Sequence, residues 1–218
     1  APGEVRRNIY VVDIRTRATE RITGGTVVTD HNSPSWSPDG GRLAYHAVTP
    51  DTGGNIDLYI YDFASATHDL ITGRAYRQFT PAWSPDGRMI AYESSQPPNF
   101  SPTIFLYDTQ TGSTAPLYDT PDTNINPAWS PDGRRMVYAS QPNADTPLNL
   151  YIVDIETRAL RRLTSLARAQ AAEPAWSPDG RMIAYVGFSV DSTRPTRLYL
   201  QAADGTGAAI PITEGGAG

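Results

Sequence analysis

Short apolar runs separated by polar turn sequences fill the chain from end to end. One kind of run follows each Pro-Asp-Gly sequence, and its first copy reads Leu43-Ala44-Tyr45 without alternation of polar residues. A second kind is rich in β-branched and aromatic residues and carries Tyr or Phe at its centre. Runs of this length bounded by turn residues predict β-strands, and the lack of alternation indicates strands covered on both faces.

The turn sequence Trp-Ser-Pro-Asp-Gly occurs four times and sets the period of the chain. Its copies begin at positions 36, 83, 129 and 176, which are all four tryptophans, and successive copies lie 47, 46 and 47 residues apart. A period in this range indicates a repeat architecture. Pro, Asp and Gly in this order predict a tight turn, so we interpret the four aspartates as turn residues. We expect the four tryptophans to pack between repeats.

Each repeat supplies four predicted strands, which we label A to D in chain order. The Trp-containing turn joins A to B, a longer loop joins B to C, and a short turn joins C to D. A proline lies two residues before each Trp. Since proline cannot donate a hydrogen bond, strand A is predicted to be an edge strand, and in a propeller that edge faces the central channel. The fold class predicted is therefore all-β, a β-propeller of four-stranded antiparallel blades.

The repeats predict one domain over residues 1–218, with a half blade at 8–23 and full blades at about 31–73, 79–118, 125–165 and 172–213. This amounts to five C–D pairs but four A–B hairpins. The count predicts that the chain is part of a five-bladed or larger array, or of an array that is completed by another molecule. Three alternatives follow: a longer native chain, strands donated by another protein, or copies stacked head to tail in a filament. The apolar strand of the half blade is the predicted assembly edge: Ile9, Tyr10, Val11 and Val12.

Composition and motifs narrow the functional classes. All 18 basic residues are arginines, the net charge is −5, and there is no cysteine. Nucleic-acid binding therefore has little electrostatic support, and no apolar run is long enough to span a membrane. Neither Gly-x-Ser-x-Gly nor His-Glu-x-x-His occurs, and His31, His46 and His68 occupy different repeat positions. We predict a protein that is not an enzyme, with no catalytic residues, no metal site and no cofactor.

The sequence Pro-Ala-Trp-Ser-Pro-Asp-Gly-Arg-Met-Ile-Ala-Tyr at 81–92, followed by Ile-Phe-Leu-Tyr-Asp at 104–108, closely resembles the repeat of TolB-type, WD-repeat-like β-propellers. The resemblance covers nearly the whole chain. It implies the propeller fold and the functions of related blades: the periplasmic TolB protein, gating propellers of peptidases, and sensor portions of membrane-anchored regulators. Three departures are the absence of TolB's N-terminal α/β domain, longer B–C loops, and fewer blades than the six or more typical of the family.

The variable D–A and B–C loops share one face of a propeller, and recognition usually resides in such loops. The residues three before each Trp are expected at the mouth of the channel: Ser33, Thr80, Asn126 and Glu173. Aromatic and guanidinium groups favoured at binding hot spots add to this face: Tyr76, Arg77, Phe100, Phe188 and Arg194. The chain starts at Ala1 without Met, as after removal of a signal peptide or excision from a longer chain.

Our hypothesis is a non-catalytic interaction or scaffold propeller of an exported bacterial protein, periplasmic or extracellular, that binds a protein or peptide through the loop face. One alternative is a structural subunit of an extracellular assembly or filament, joined to neighbouring copies through its open blades. The other is a gating or sensor propeller of a larger peptidase or membrane-anchored regulator.

Overall fold

The computed structural model describes residues 7–24, 30–48, 55–72, 76–97, 100–118, 122–166, 169–189 and 196–213. Within these ranges the chain forms 18 β-strands and no helix. The strands make four antiparallel sheets of four strands each and one sheet of two strands. The predicted all-β fold with four-stranded blades is confirmed, and the two-stranded sheet is the predicted half blade.

Strands follow chain order across every sheet. The half blade contains β1 (Tyr10–Val12) and β2 (Thr19–Arg21). The first blade contains β3 (Asp30–Trp36), β4 (Arg42–Val48), β5 (Ile56–Asp62) and β6 (Thr67–Leu70). The second contains β7 (Arg77–Trp83), β8 (Met89–Ser95), β9 (Pro102–Asp108) and β10 (Thr114–Pro116). The third contains β11 (Thr123–Trp129), β12 (Arg135–Gln141), β13 (Asn149–Asp154) and β14 (Leu160–Arg162). The fourth contains β15 (Ala169–Trp176), β16 (Met182–Ser189), β17 (Arg197–Ala202) and β18 (Ile210–Pro211).

The four A–B turns share one hydrogen-bond pattern. In the first blade the Ser37 hydroxyl donates to Asp39 Oδ1 at 2.6 Å, and the Gly41 amide donates to the same oxygen at 3.0 Å. Gly40 has a φ of 72°, a conformation that residues with a Cβ resist. The serine hydroxyl and the backbone amide lower the pKa of Asp39, because both bonds stabilise the carboxylate. The aspartate is therefore a turn residue, as the sequence predicts.

Strand A joins neighbouring blades. In the second, third and fourth blades it contacts strands A, B and C of the preceding blade. Apolar side chains on strand C lie beneath it: Leu58 is 0 % exposed, Ile104 1 % and Leu150 0 %. The equivalent Leu198 in the fourth blade is 40 % exposed, since no described strand covers that face. The cores therefore lie between blades and depend on the strand A that follows.

The turn tryptophans of the third and fourth blades bond to the preceding blade. Trp129 Nε1 donates to the Ala82 carbonyl at 3.1 Å, and Trp176 Nε1 donates to the Ala128 carbonyl at 3.2 Å. Trp83 is buried and Trp129 and Trp176 are half-buried, but Trp36 is 48 % exposed and stacks on Phe63 at 5.1 Å between ring centroids. The expectation that all four tryptophans pack between blades is therefore wrong for Trp36, because no A or B strand among the described residues of the half blade covers it.

Replacing Trp129 with Ala should lower the free energy of unfolding by about 3–5 kcal/mol, since a cavity forms between two blades and the Ala82 carbonyl loses its donor. Trp36→Ala is the matched control at the equivalent position. It should cost about 1–2 kcal/mol, because its side chain already contacts solvent. Urea denaturation measures both values, and equal losses would contradict this account of blade packing.

Candidate functional site

Strand A of every full blade carries a β-bulge at the residue before its proline. The strand register shifts there in all four sheets. The bulge residues have positive φ angles of 51°, 45°, 55° and 51°, and they are the four residues predicted at the channel mouth: Ser33, Thr80, Asn126 and Glu173. A non-glycine residue in this region costs about 1–3 kcal/mol and persists only where surrounding contacts impose it. A bulge also redirects its side chain out of the regular ladder.

Hydrogen bonds connect these bulges from one blade to the next. The Thr80 amide donates to His46 Nδ1 at 3.4 Å, which links the second blade to the first. The backbone amide of Asn126 donates to Glu93 Oε1 at 2.9 Å, which links the third blade to the second. The Glu173 amide donates to Asn126 Oδ1 at 3.3 Å, which links the fourth blade to the third. We call the following residues the inner rim: Ser33, His46, Thr80, Glu93, Asn126 and Glu173.

Glu93 occupies a central place in the inner rim. The Thr80 hydroxyl donates to Glu93 Oε1, the oxygen that also accepts the backbone amide of Asn126. The side chain is 7 % exposed, so it lies in the interior of the rim. Burial raises the pKa of Glu93, and the two hydrogen bonds oppose that shift without cancelling it. A buried carboxyl group thus joins the bulges of two blades.

His46 takes the equivalent position in the first blade. Its Nδ1 accepts the Thr80 amide, so the neutral ring carries its proton on Nε2. The ring meets Phe79 edge to face at 5.7 Å between centroids. Burial lowers the pKa of His46 to about 4, against the opposing effect of the Asp30 carboxylate. His46 is therefore a neutral hydrogen-bond acceptor at physiological pH.

Sequence reasoning missed Glu93 and His46 as members of the site. Both stand ten residues after the turn Trp, where the other two blades have Ala139 and Val186. The available signal was a polar residue inside an otherwise apolar strand, because a buried polar group requires a partner. What the sequence did not show was the partner, which comes from the neighbouring blade.

All three histidines lie in the first blade. The Tyr45 hydroxyl and His68 Nδ1 form a hydrogen bond of 2.8 Å, and the His31 ring lies 5.8 Å from the Tyr45 ring. Burial lowers the pKa of both histidines. Tyr45 also belongs to the core that the first blade shares with Ile9 of the half blade. The structure thus places His31 and His68, which occupy different repeat positions, against the same buried tyrosine, Tyr45.

The other predicted binding residues have different environments. Phe100 is 61 % exposed directly before β9. The Arg77 guanidinium is exposed and lies 5.8 Å from the centre of the Phe79 ring. Tyr76 is half-buried and its carbonyl accepts the Asn55 side-chain amide at 3.0 Å. Phe188 is half-buried against the core of the third and fourth blades. Phe100 and Arg77 are the two that present their side chains to solvent.

Parts of the predicted loop face lie outside the described residues. They are residues 49–54, 98–99 and 190–195 of the B–C loops, which include Arg194, and residues 25–29, 73–75, 119–121 and 167–168 of the D–A loops. In the described part of the chain, no group of three or more His, Asp or Glu side chains is placed to hold a metal ion. Among the same residues, no helix is long and apolar enough to cross a membrane.

A cleft of about 380 Å³ opens on the opposite face, between the A–B turns of the first two blades. Its polar walls already have partners: the Arg42 guanidinium lies 4.8 Å from the Trp83 ring, and the Arg88 side chain pairs with Asp108 at 3.3 Å. Asp39 and Asp86 accept bonds within their own turns. The cleft is therefore the space between two turns, without converging free groups among the residues that line it.

The edge residues of the half blade divide into two pairs. Ile9 is 5 % exposed, and it packs with Val11 against the first blade. Tyr10 and Val12 point the other way and are 55 % and 53 % exposed. The predicted assembly edge therefore contributes two residues to the interior and presents two to solvent.

Comparisons with known proteins found a matching family and similar structures. The family described as "TolB beta propeller domain" matches residues 55–217. A search of curated proteins found no match. The structure is similar to TolB from Acinetobacter baumannii, with 22 % identity, a TM-score of 0.76, and coverage of 94 % of this chain and 48 % of that one. This chain thus spans about half the length of that TolB.

Two further structures are similar. A putative TolB from Agrobacterium tumefaciens has 25 % identity and a TM-score of 0.76, with 97 % of this chain and 71 % of that chain covered. A puromycin-hydrolysing peptidase from Mycobacterium tuberculosis has 18 % identity and a TM-score of 0.71, with 94 % and 32 % covered. The propeller fold is therefore shared by TolB proteins and by a much longer enzyme chain.

Replacing Glu93 with Gln should make the free energy of unfolding less dependent on pH. Since the folded-state pKa of Glu93 is raised, wild-type stability falls as pH rises through and above its ordinary value of 4.5. The Gln side chain keeps the oxygen that accepts from Thr80 and Asn126 but carries no charge. The variant should gain more over wild type at pH 7 than at pH 4 in urea titrations. Glu173→Gln controls for loss of one rim charge, and identical curves for the two variants would contradict the prediction.

The difference in stability between His46→Gln and wild type should change with pH in the direction opposite to that of Glu93→Gln. Because the pKa of His46 is about 4 in the folded chain and 6.5 ordinarily, wild-type stability declines as pH falls from about 6.5 to about 4. The decline attributable to this group is on the order of 3 kcal/mol, and the variant should not show it. Denaturation of both proteins at pH 7, 5.5 and 4 measures the difference, and parallel curves would argue against a neutral His46.

Proposed function

Because this chain belongs to the TolB β-propeller family, we propose that it is a non-catalytic binding propeller of an exported protein. It captures a polypeptide through the face that its D–A and B–C loops form. This face includes Arg77, Phe100 and the bulge residues of the inner rim.

The contrast between the two ends of the blades is the observation that carries the proposal. At the A–B end, all four turns repeat one sequence and bond internally, with Ser hydroxyl to Asp distances of 2.5–2.6 Å. At the loop end, equivalent positions differ from blade to blade and include Phe100, which is 61 % exposed, and the exposed Arg77. Recognition of one partner requires side chains that differ around the ring, because a partner without the same symmetry presents different groups to each blade.

The chemistry of this face suits a polypeptide with apolar and hydrogen-bonding groups. Phe100 offers an aromatic surface, and Arg77 offers a guanidinium close to a second aromatic ring. Bulged residues on strand A offer backbone and side-chain polar groups that blades on both sides hold in place. Such preorganisation lowers the entropic cost of binding.

A second candidate is the gating propeller of a peptidase, favoured by the similarity to the longer M. tuberculosis peptidase. In that case the same loop face would meet a catalytic domain of the same polypeptide instead of a separate partner. A hydrolase domain in the same reading frame would decide for this candidate.

Site-specific photo-crosslinking tests the binding face. A photoreactive residue at position 100 should crosslink to a polypeptide from the exported fraction of the source cells, and excess unmodified protein should compete. The matched control places the same group at position 110, which is exposed at the other end of β9. Arg77→Glu should weaken crosslinking at least tenfold, in keeping with a charged hot-spot contact. Equal crosslinking from position 110 would refute the assignment of this face.

A further inference from the structure

Each contact between neighbouring full blades is made by a strand A packed on the blade before it. We call these contacts seams: the first joins β7 to β3, β4 and β5, the second joins β11 to β7, β8 and β9, and the third joins β15 to β11, β12 and β13. In every seam the backbone amide of the bulge residue donates to a side chain of the preceding blade. The chemical nature of this acceptor differs among the three seams.

The acceptor of the first seam is the one that a proton removes. It is Nδ1 of His46, and an imidazolium ring carries a proton on both nitrogens, so that it can only donate. In the second seam a protonated Glu93 keeps a carbonyl oxygen as acceptor, and in the third seam the Asn126 side-chain amide does not titrate. Protonation of His46 therefore sets its own N–H group against that of Thr80, whereas the other two seams keep their bonds.

The first seam also has fewer bonds near the A–B turns. Trp83 Nε1 is buried and has no hydrogen-bond partner among the described residues. The equivalent nitrogens of Trp129 and Trp176 donate to carbonyl groups of the preceding blade. Trp83 bonds across the seam through its backbone amide instead, which donates to the Ser35 hydroxyl at 3.2 Å. A buried donor without a partner opposes packing, so the first seam is held less firmly at this end.

The outer edges of the blades show the same difference. The Arg158 guanidinium of the third blade donates to the Leu117 carbonyl of the second blade at 3.0 Å. The Arg161 guanidinium, also of the third blade, donates to the Ala203 carbonyl of the fourth blade at 2.5 Å. The second blade has Gly112 at the place of Arg158 in its C–D turn, without a side chain that could reach the first blade. Within the described ranges, no hydrogen bond of this kind joins the outer edges of the first two blades.

The surroundings of His46 on the neighbouring strands favour the neutral ring. Three charged residues lie on these strands: Asp30 on β3, Arg77 on β7 and Glu93 on β8. The carboxylate of Asp30 favours the protonated ring, but burial outweighs it and lowers the pKa of His46 to about 4. The residue opposite His46 on β5 is the uncharged Leu58. Asp57, the next residue, pairs with Ala47, which belongs to the core on the other face of the sheet.

We propose that the first seam is an acid-sensitive joint. Protonation of His46 breaks the bond to the Thr80 amide and separates β7 from the first blade, while the second and third seams stay closed. Because β7 also carries Arg77, opening of the joint changes the loop face between the first and second blades. The joint is built from contacts within the chain and does not depend on what the loop face binds.

The direction of the pH effect follows from the two buried groups. The pKa of His46 is lowered from 6.5 to about 4 in the closed seam, so the stability of the first seam is lost as pH falls from about 6.5 towards about 4. The pKa of Glu93 is raised, so its contribution to the second seam improves as pH falls. Acid therefore weakens the first seam selectively.

Hydrogen exchange of the wild-type chain at pH 7 and pH 4 tests the joint, after correction for the effect of pH on free amides. Protection of the Thr80 and Trp83 amides, which bond across the first seam, should fall about tenfold or more at pH 4. Protection of the Asn126 and Glu173 amides, which bond across the second and third seams, should change by less than about twofold. All four amides belong to the same molecule, so this comparison requires no substitution.

Two variants identify the group that responds to acid. His46→Gln keeps an acceptor oxygen but does not titrate, so protection of the Thr80 amide should be as high at pH 4 as at pH 7. His68→Gln is the matched control, because His68 bonds to Tyr45, which packs on the other face of the first blade. This control should lose protection at Thr80 in acid as the wild-type chain does.

Three results would overturn the proposal. The first is an unchanged protection of the Thr80 amide in acid, or an equal loss at the amides of all three seams, which indicates global unfolding. The second is a loss at Thr80 that persists in folded His46→Gln, since another group would then cause it. The third is a loss confined to the His31 amide, which donates to the Arg7 carbonyl, because the contact with the half blade would then be the one that acid opens.

Discussion

The packing of each strand A across the preceding blade is the interaction on which this structure depends. A single four-stranded sheet of small and apolar residues cannot bury both faces, so each blade needs the next one to cover its B and C strands. The buried Leu58 and the exposed Leu198, which stand at equivalent positions, show the difference that a covering strand makes. Stability therefore resides in nearest-neighbour interfaces, and the turn tryptophans of the second, third and fourth blades belong to the interface with the preceding blade.

This dependence explains the polar features of the inner rim. Proline in strand A frees one edge of the ladder, and the bulge before it leaves a backbone amide without a strand partner. The neighbouring blade supplies the acceptor: His46 for Thr80, Glu93 for Asn126, and Asn126 for Glu173. The bulges are thus held by contacts between blades, and the polar residues there differ because each has to fit one particular neighbour. The same arrangement leaves a surface whose side chains differ from blade to blade.

Family membership agrees with this division of labour. The TolB propeller fold occurs in chains of very different length, including a peptidase three times as long as the part that aligns. The fold is common to them, and a shared fold does not fix what each propeller contacts. In this chain, Phe100 and Arg77 are exposed at the loop end, and Tyr10 and Val12 are exposed on the half blade.

The sequence by itself determined the strands, the turns and the hairpin register. Ser-Pro-Asp-Gly closes a turn through bonds between residues two to five positions apart, and such local interactions are readable from spacing. The tertiary structure decided what lies between blades. Glu93 meets Asn126 from 33 residues away, and Trp36 is exposed although its local sequence matches that of the buried Trp83. Equal local sequences take different environments because burial depends on the neighbouring blade, which is distant in sequence.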